Sequence, residues 1–351
     1  MASAVLSRLF RDYLTRLRLG ATLQHALRAA ADPALGAQEM ARVFDGNQAY
    51  LQWLLRIEPL QKRITEWAQE EAMSKDRRET VLKRALALLG KSAVRNVVAT
   101  LSLNRIAGAG LPKTEAEKLL VVPRESVKLA LEAEEYCENR KIPGAHFAYE
   151  AGLHYDAWLA ILNARKELAE AKGVFEETWK HSLRVAHFAQ ELAVYPKAFP
   201  HTEQCFAAGL LLNSGKLVLA TLYPKSAKNS WTAFAASVVG QDPLLDDSLR
   251  LVRERKLFEL THPEASFLVA RSSGYFTTVA PALQFYPEPY FLKKTNPGLY
   301  LLATLLLAAQ RLARLKSPKD PPPLGPREKR ELQRFGIGDK ELELIVQRVL
   351  K

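Results

Sequence analysis

WKHSLRVAHFAQELA, residues 179–193, followed after a short connection by FAAGLLLNSGKLVLATLYP, residues 206–224, is the stretch on which the fold turns. Both halves carry apolar residues at helical spacing, and neither shows the strict alternation of a half-buried strand. The same spacing recurs along almost the whole chain. It predicts helices over residues 123–139, 145–168, 175–194, 202–222, 262–273 and 298–315, and a terminal pair over 327–334 and 339–350. Nearer the N-terminus, 38–57 reads as two helices broken near Asp45-Gly46. Arg77–Leu89 reads as a helix ending at Gly90, a natural C-terminal cap, and Ala93–Ile106 as another. Ala, Leu, Glu, Lys and Arg dominate, all good helix formers. The expected class is all-α: a multi-helix bundle in two helical lobes.

The 351 residues suffice for two ordinary domains or one large helical one. The loop GAGLPKTEAEK (108–118) suggests a lobe boundary within 107–120. The expected organisation is an N-terminal helical lobe over 1–115, a second lobe over 116–316, and a Pro-rich linker with a C-terminal helical segment over 317–351. The linker is SPKDPPPLGP (317–326), where proline denies a helix its hydrogen bonds.

Two isolated cysteines, Cys137 and Cys205, make neither a disulfide framework nor a CxxC metal pair, so a reducing, cytoplasmic setting is expected. The strongest apolar run, Leu299–Ala309, is shorter than the roughly 20 residues needed to span a bilayer. Arg8, Arg11 and Asp12 interrupt the first residues, so no secretory signal is read there. The opening helix has Val5, Leu9, Leu14 and Leu17 approximating one face. It reads as an amphipathic core helix, with a membrane-surface helix as the alternative. The net charge of +12 bears on polyanion attraction and solubility rather than on fold.

The chain also echoes itself. SVKLALEAEEYCEN (126–139) leading to YEAGLHYDAWLAIL (149–162) is similar to SLRVAHFAQELAVY (182–195) leading to FAAGLLLNSGKLVL (206–219). Ser126, Ala130, Ala133 and Glu135 fall on Ser182, Ala186, Ala189 and Glu191. Ala151-Gly152-Leu153 fall on Ala208-Gly209-Leu210 with one residue inserted, and Asp156 falls opposite Asn213. Chance likeness of Ala-rich helices is one explanation. The other is two similar helix pairs packed about a pseudo-symmetric core.

These residues resemble the HD phosphohydrolase superfamily, in which a first His on one helix is followed by a GLLHDIGKL helix. The resemblance implies a divalent metal held by His and Asp side chains, which lowers the pKa of a bound water. His181 falls on the first histidine, and Gly209, Leu210, Leu211, Gly215, Lys216 and Leu217 fit the framework. The paired His and Asp are replaced by Leu212 and Asn213. His262, in THPEAS, resembles a later histidine of the superfamily. A downstream His pair corresponds to Phe285 and Tyr286, and the closing Asp falls near Ala309 and Gln310. Leucine binds no metal, and asparagine brings no charge to balance one.

RALALLGKSAVRNVVATLSL (84–103) and LGAQEMARVFDGNQAYLQWLLRI (35–57) are similar to stretches of the narrower HDOD group, although Glu58-Pro59-Leu60 stand where that group often has an Asn-Ser pair. The resemblance therefore implies a stand-alone, non-catalytic bacterial signalling protein without metal or cofactor. It would bind a protein partner or a small ligand in a remnant cleft built from His181, Asn213, Ser214, Lys216, His262 and Asp156. The rival readings are a divergent metal-dependent phosphohydrolase using His181, Asp156 and His262, and a basic nucleic-acid-binding regulator. Each residue also has a plain structural role open to it. In that reading His181 would cap or hydrogen-bond within the core, Asn213 and Ser214 would satisfy buried backbone groups, Lys216 would be a surface lysine near a helix end, and His262 would open a helix. His146, His154, His187 and His201 show no metal-ligand spacing with a carboxylate, and no docking motif for nucleic acid accompanies the basic charge.

Overall fold

The computed structural model describes residues 127–164, 171–196, 201–222, 246–273 and 278–350, with positions 32, 92, 95–96, 98–100, 102–103, 199 and 276. The expected helices within 38–57 and 77–89, the opening helix and the 107–120 boundary lie outside the described residues. Every regular element among those described is helical. The chain divides into two compact units, one of which is Leu19–Lys128. In that unit the described positions from Ser92 to Leu103 are helical. Val98, Ala99, Thr100 and Leu103 are fully buried, and the Ser102 hydroxyl donates to the Val98 carbonyl at 2.9 Å.

The other unit contains Leu129–Lys351. Its helices are α1 (Lys128–Asn139), α2 (Ala145–Ala164), α3 (Ala171–Ala193), α4 (Thr202–Leu211), α5 (Ser214–Leu222), α6 (Asp246–Phe258), α7 (His262–Ser273), α8 (Ala280–Phe285), α9 (Pro297–Leu312), α10 (Pro326–Arg334) and α11 (Asp339–Leu350). A 3-10 turn, Pro289–Leu292, precedes α9. Helix α3 is central, packing on α4 and α9, while α2 lies on α4, α5 on α7 and α7 on α8. Beyond the proline-rich stretch, α10 packs on α9 and α11 on α3. Arg311 pairs with Glu328 at 2.9 Å, and the Tyr300 hydroxyl donates to Glu331 at 2.6 Å. No helix among the described residues is long and apolar enough to cross a membrane.

Two sequence expectations need correction. Residues 202–222 are two helices, α4 and α5, rather than one. Helices α6 and α8 and the turn at Pro289–Leu292 went unread, because their apolar residues are sparse or their runs are short.

The echo has a structural counterpart. In α2, a Cβ built on Gly152 would lie 2.5 Å from the Cα of Ala130 on α1; in α4, one built on Gly209 would lie 2.5 Å from the Cα of Ala186 on α3. These are the residues that the sequence match pairs, so both helix couples cross at a glycine pressed on an alanine. In the same register, α2 falls on Thr202–Thr221, the span of α4 plus most of α5.

The two couples differ at Asp156 and Asn213. Asp156 accepts from the backbone N–H groups of Leu129 (3.0 Å) and Ala130 (2.9 Å), at the start of α1. There a carboxylate satisfies amides left without intrahelical partners and meets the positive end of the helix dipole. Helix α3 begins at Ala171, so its matching positions, Val185 and Ala186, lie mid-helix, where the backbone amides bond within the helix. Asn213 therefore has no such helix start to cap. Tyr155 ties the couples together: its hydroxyl donates to the Leu210 carbonyl at 2.6 Å and lies 2.8 Å from Ser182 Oγ.

Gly209→Ala gains helix propensity worth about 1 kcal/mol but forces the α3 and α4 backbones apart, an overpacking cost of about 1–3 kcal/mol. The clash is with backbone, so the net effect is a loss of stability, for Gly152→Ala as well, and urea unfolding measures it. His154, fully buried on α2 with no hydrogen-bond partner for Nε2, has its pKa lowered by burial to about 4. The unfolded chain then binds a proton that the folded chain refuses, so this contribution is complete above pH 6.5 and declines as pH falls toward 4. Replacing His154 by Leu should flatten stability against pH in that window by up to about 1.4 kcal/mol per pH unit. An unchanged slope would show that His154 takes up its proton in the folded chain as readily as in the unfolded one.

Candidate functional site

The break between α4 and α5 builds the site. Gly209-Leu-Leu-Leu-Asn-Ser-Gly ends one helix and starts the next, and Ser266 of α7 serves both ends. Its hydroxyl donates to the Leu212 carbonyl at 2.9 Å and accepts from the Gly215 amide at 2.8 Å. Gly215 is required there, since a Cβ would come within 2.0 Å of the His262 carbonyl. The Ser214 hydroxyl donates to the Leu211 carbonyl at 2.7 Å.

The break turns Asn213 toward α9. Asn213 Nδ2 donates to Gln310 Oε1 at 3.0 Å, and Gln310 Nε2 donates back to Asn213 Oδ1 at 3.3 Å. Both residues are fully buried. His181, on α3, also hydrogen-bonds Gln310. Burial lowers the His181 pKa to about 3, and the charges of Lys216, Arg314 and Arg184 push the same way. The network is therefore neutral, and its amides are committed to one another.

A cavity of about 270 Å³ opens beside it, lined by Glu177, Thr178, Lys180, His181, Arg184, Asn213 and Lys216. The α3 residues fall three and four apart, which puts them on one helix face. Arg184 also donates to the carbonyls of Ala313 (3.2 Å) and Leu315 (3.4 Å), just past the end of α9. Thr178 is buried, and its Oγ1 has no hydrogen-bond partner.

Lys216, on α5, is almost wholly buried, and its charge acts on His181, His262 and Glu254. Glu254 and His262 form a second buried cluster. The His262 amide donates to Glu254 Oε2 at 2.7 Å, its Nδ1 lies 2.8–2.9 Å from both carboxylate oxygens, and its Nε2 lies 2.8 Å from the Tyr286 hydroxyl. With Nδ1–H facing the carboxylate, Nε2 accepts from Tyr286. Burial lowers the His262 pKa, opposed by Glu254. Burial would raise that of Glu254, but the His262 contacts and Lys216 hold it below the usual carboxylate range.

Of the six residues expected in the cleft, His181, Asn213 and Lys216 line one cavity. Ser214, His262 and Asp156 do not line it: Ser214 serves the helix break, His262 the buried Glu254 cluster and Asp156 the start of α1. Lys216 is buried rather than the surface lysine of its plain reading. Thr178, Lys180 and Arg184 were not foreseen, although their spacing about His181 on a helix was visible. Glu254 gives no signal in sequence, since only the fold brings it to His262. The donors around His181 do not suit a divalent cation, being two amides bonded to each other and no buried carboxylate. Among the described residues, no three His, Cys, Asp or Glu side chains converge as a metal ion would need.

The Asn213–Gln310 pair predicts a strongly non-additive cycle. Asn213→Ala or Gln310→Ala leaves a buried amide unsatisfied, at about 1–3 kcal/mol. The double variant should cost clearly less than the sum, by at least about 0.5 kcal/mol, in denaturant unfolding. Additive losses would mean that the two amides do not depend on each other.

A family model described as HDOD domain matches residues 159–272, roughly a third of the chain, running from α2 into α7 and including both halves of the interrupted helix. No curated protein and no solved structure matches the chain. The helical fold and the match over residues 159–272 agree with the resemblance read from the sequence.

Proposed function

We propose that this protein is a non-catalytic regulatory module that acts by binding a ligand or partner at the His181 cavity rather than by turning over a phosphoester. The observation that carries this reading is the reciprocal Asn213–Gln310 amide pair. It occupies the positions where the HD resemblance expects two carboxylates. Metal-assisted hydrolysis needs charged or imidazole ligands converging on one point and an open position for water. Here one imidazole, His181, is kept neutral beside two amides that satisfy each other. A dication there would meet the neighbouring charges of Lys216, Arg184 and Arg314 instead of a counter-charge. Leu212, fully buried, adds only packing. A signalling role in a bacterial cytoplasm belongs to this proposal and rests on the HDOD match.

The purified protein should retain no stoichiometric divalent metal after dialysis, as measured by elemental analysis. It should also leave cyclic and linear nucleotides intact with Mn²⁺ or Mg²⁺. One metal per chain, with hydrolysis abolished by His181→Ala, would sink the proposal and favour a divergent phosphohydrolase.

A further inference from the structure

We propose that the cavity on α3 is a binding site for a small phosphate-type dianion, held by Lys180, Arg184 and Lys216 and hydrogen-bonded by the Thr178 hydroxyl. This rests on the reading above, in which the cavity binds without catalysing, and it supplies the chemical class of the ligand.

Charge is the first support. The lining sets Lys180, Arg184 and Lys216 against a single carboxylate, Glu177, which is exposed. Lys216 is 2% exposed, and burial makes its field stronger than a surface lysine's. Arg314 adds positive charge from beside His181. A concave site with an excess of one sign concentrates the opposite ion.

Thr178 is the second and independent support. Its side chain is buried at 1% exposure, it lines the cavity, and its hydroxyl has no partner. A buried hydroxyl left unpaired costs about 1–3 kcal/mol, so its presence in a basic cavity calls for an acceptor from outside the chain. A phosphoryl oxygen is such an acceptor. Arg184 spends Nη1 on the two carbonyls after α9, which fixes the side chain and leaves other guanidinium donors for the anion. Asn213 and His181, engaged with Gln310, shape the floor. Size points the same way: about 270 Å³ is below the roughly 300–1,000 Å³ of sites for drug-sized ligands, so the occupant is compact.

The test is calorimetric titration of the full chain with inorganic phosphate and with glycerol 2-phosphate, ionic strength held constant with sodium chloride at slightly alkaline pH. Saturable one-to-one binding is expected. Thr178→Val, which keeps the shape and removes the hydroxyl, should weaken it about tenfold, the worth of one hydrogen bond to a charged group. Thr178→Ser should restore it. The Lys180→Ala/Arg184→Ala pair should weaken it further, whereas Lys340→Ala, an exposed residue of α11, should not. Absence of saturable binding overturns the proposal. So does binding that all of these variants share equally, since it would follow from net charge alone. Circular dichroism of each variant separates loss of the site from loss of the fold. Release of phosphate from glycerol 2-phosphate, blocked by Thr178→Val, would support the anion site while removing the non-catalytic reading. No binding together with no turnover would remove the anion site and leave that reading intact.

Discussion

A single hydroxyl, that of Ser266, lets one helical span be two helices. A break in a buried helix exposes carbonyls at one end and amides at the other, and unpaired backbone groups in a core are costly. Ser266 answers both, accepting from Gly215 and donating to Leu212. With the ends satisfied, α5 need not continue the line of α4. Asn213 can meet Gln310, and Lys216 can lie between the cavity and the Glu254–His262 cluster. The matching stretch of α2 runs through the equivalent positions as one uninterrupted helix.

The comparison between the two helix couples shows how one packing solution supports two outcomes. Both rely on a glycine lying on an alanine, a contact that leaves no room for a methyl group. They part where the partner helix begins. Helix α1 starts beside Asp156 and takes its carboxylate as a cap, so that polar group is spent on architecture. Helix α3 starts more than three turns earlier relative to the match, and the freed position carries an uncharged amide facing α9. Polar residues at equivalent points thus acquire different duties through helix length alone.

Much of this was legible in the sequence. Helical periodicity located α2, α3, α7, α9, α10 and α11, because each has a long apolar face or clear caps. The alanine and glycine matches of the echo marked a real contact, since only small residues permit such close helices. The interruption at Leu212-Asn213 was not read, because the residue that makes it affordable, Ser266, lies 54 positions from Leu212 in the chain. His262 and Asp156 lie away from the cavity lining for a related reason. Each is drawn to a partner, Glu254 or the start of α1, that local spacing does not reveal. His181, Asn213 and Lys216 line one cavity, and all three belong to the single two-helix motif read from the sequence.

The C-terminal helix has a bearing on how the molecule is handled. Helix α11 rests on α3, and Arg348 reaches Glu191 on that helix at 3.3 Å. Helix α3 is also the wall of the cavity. A pull on α11 would therefore bear on the helix that carries Lys180, His181 and Arg184. A tether attached to α11 is mechanically connected to the site.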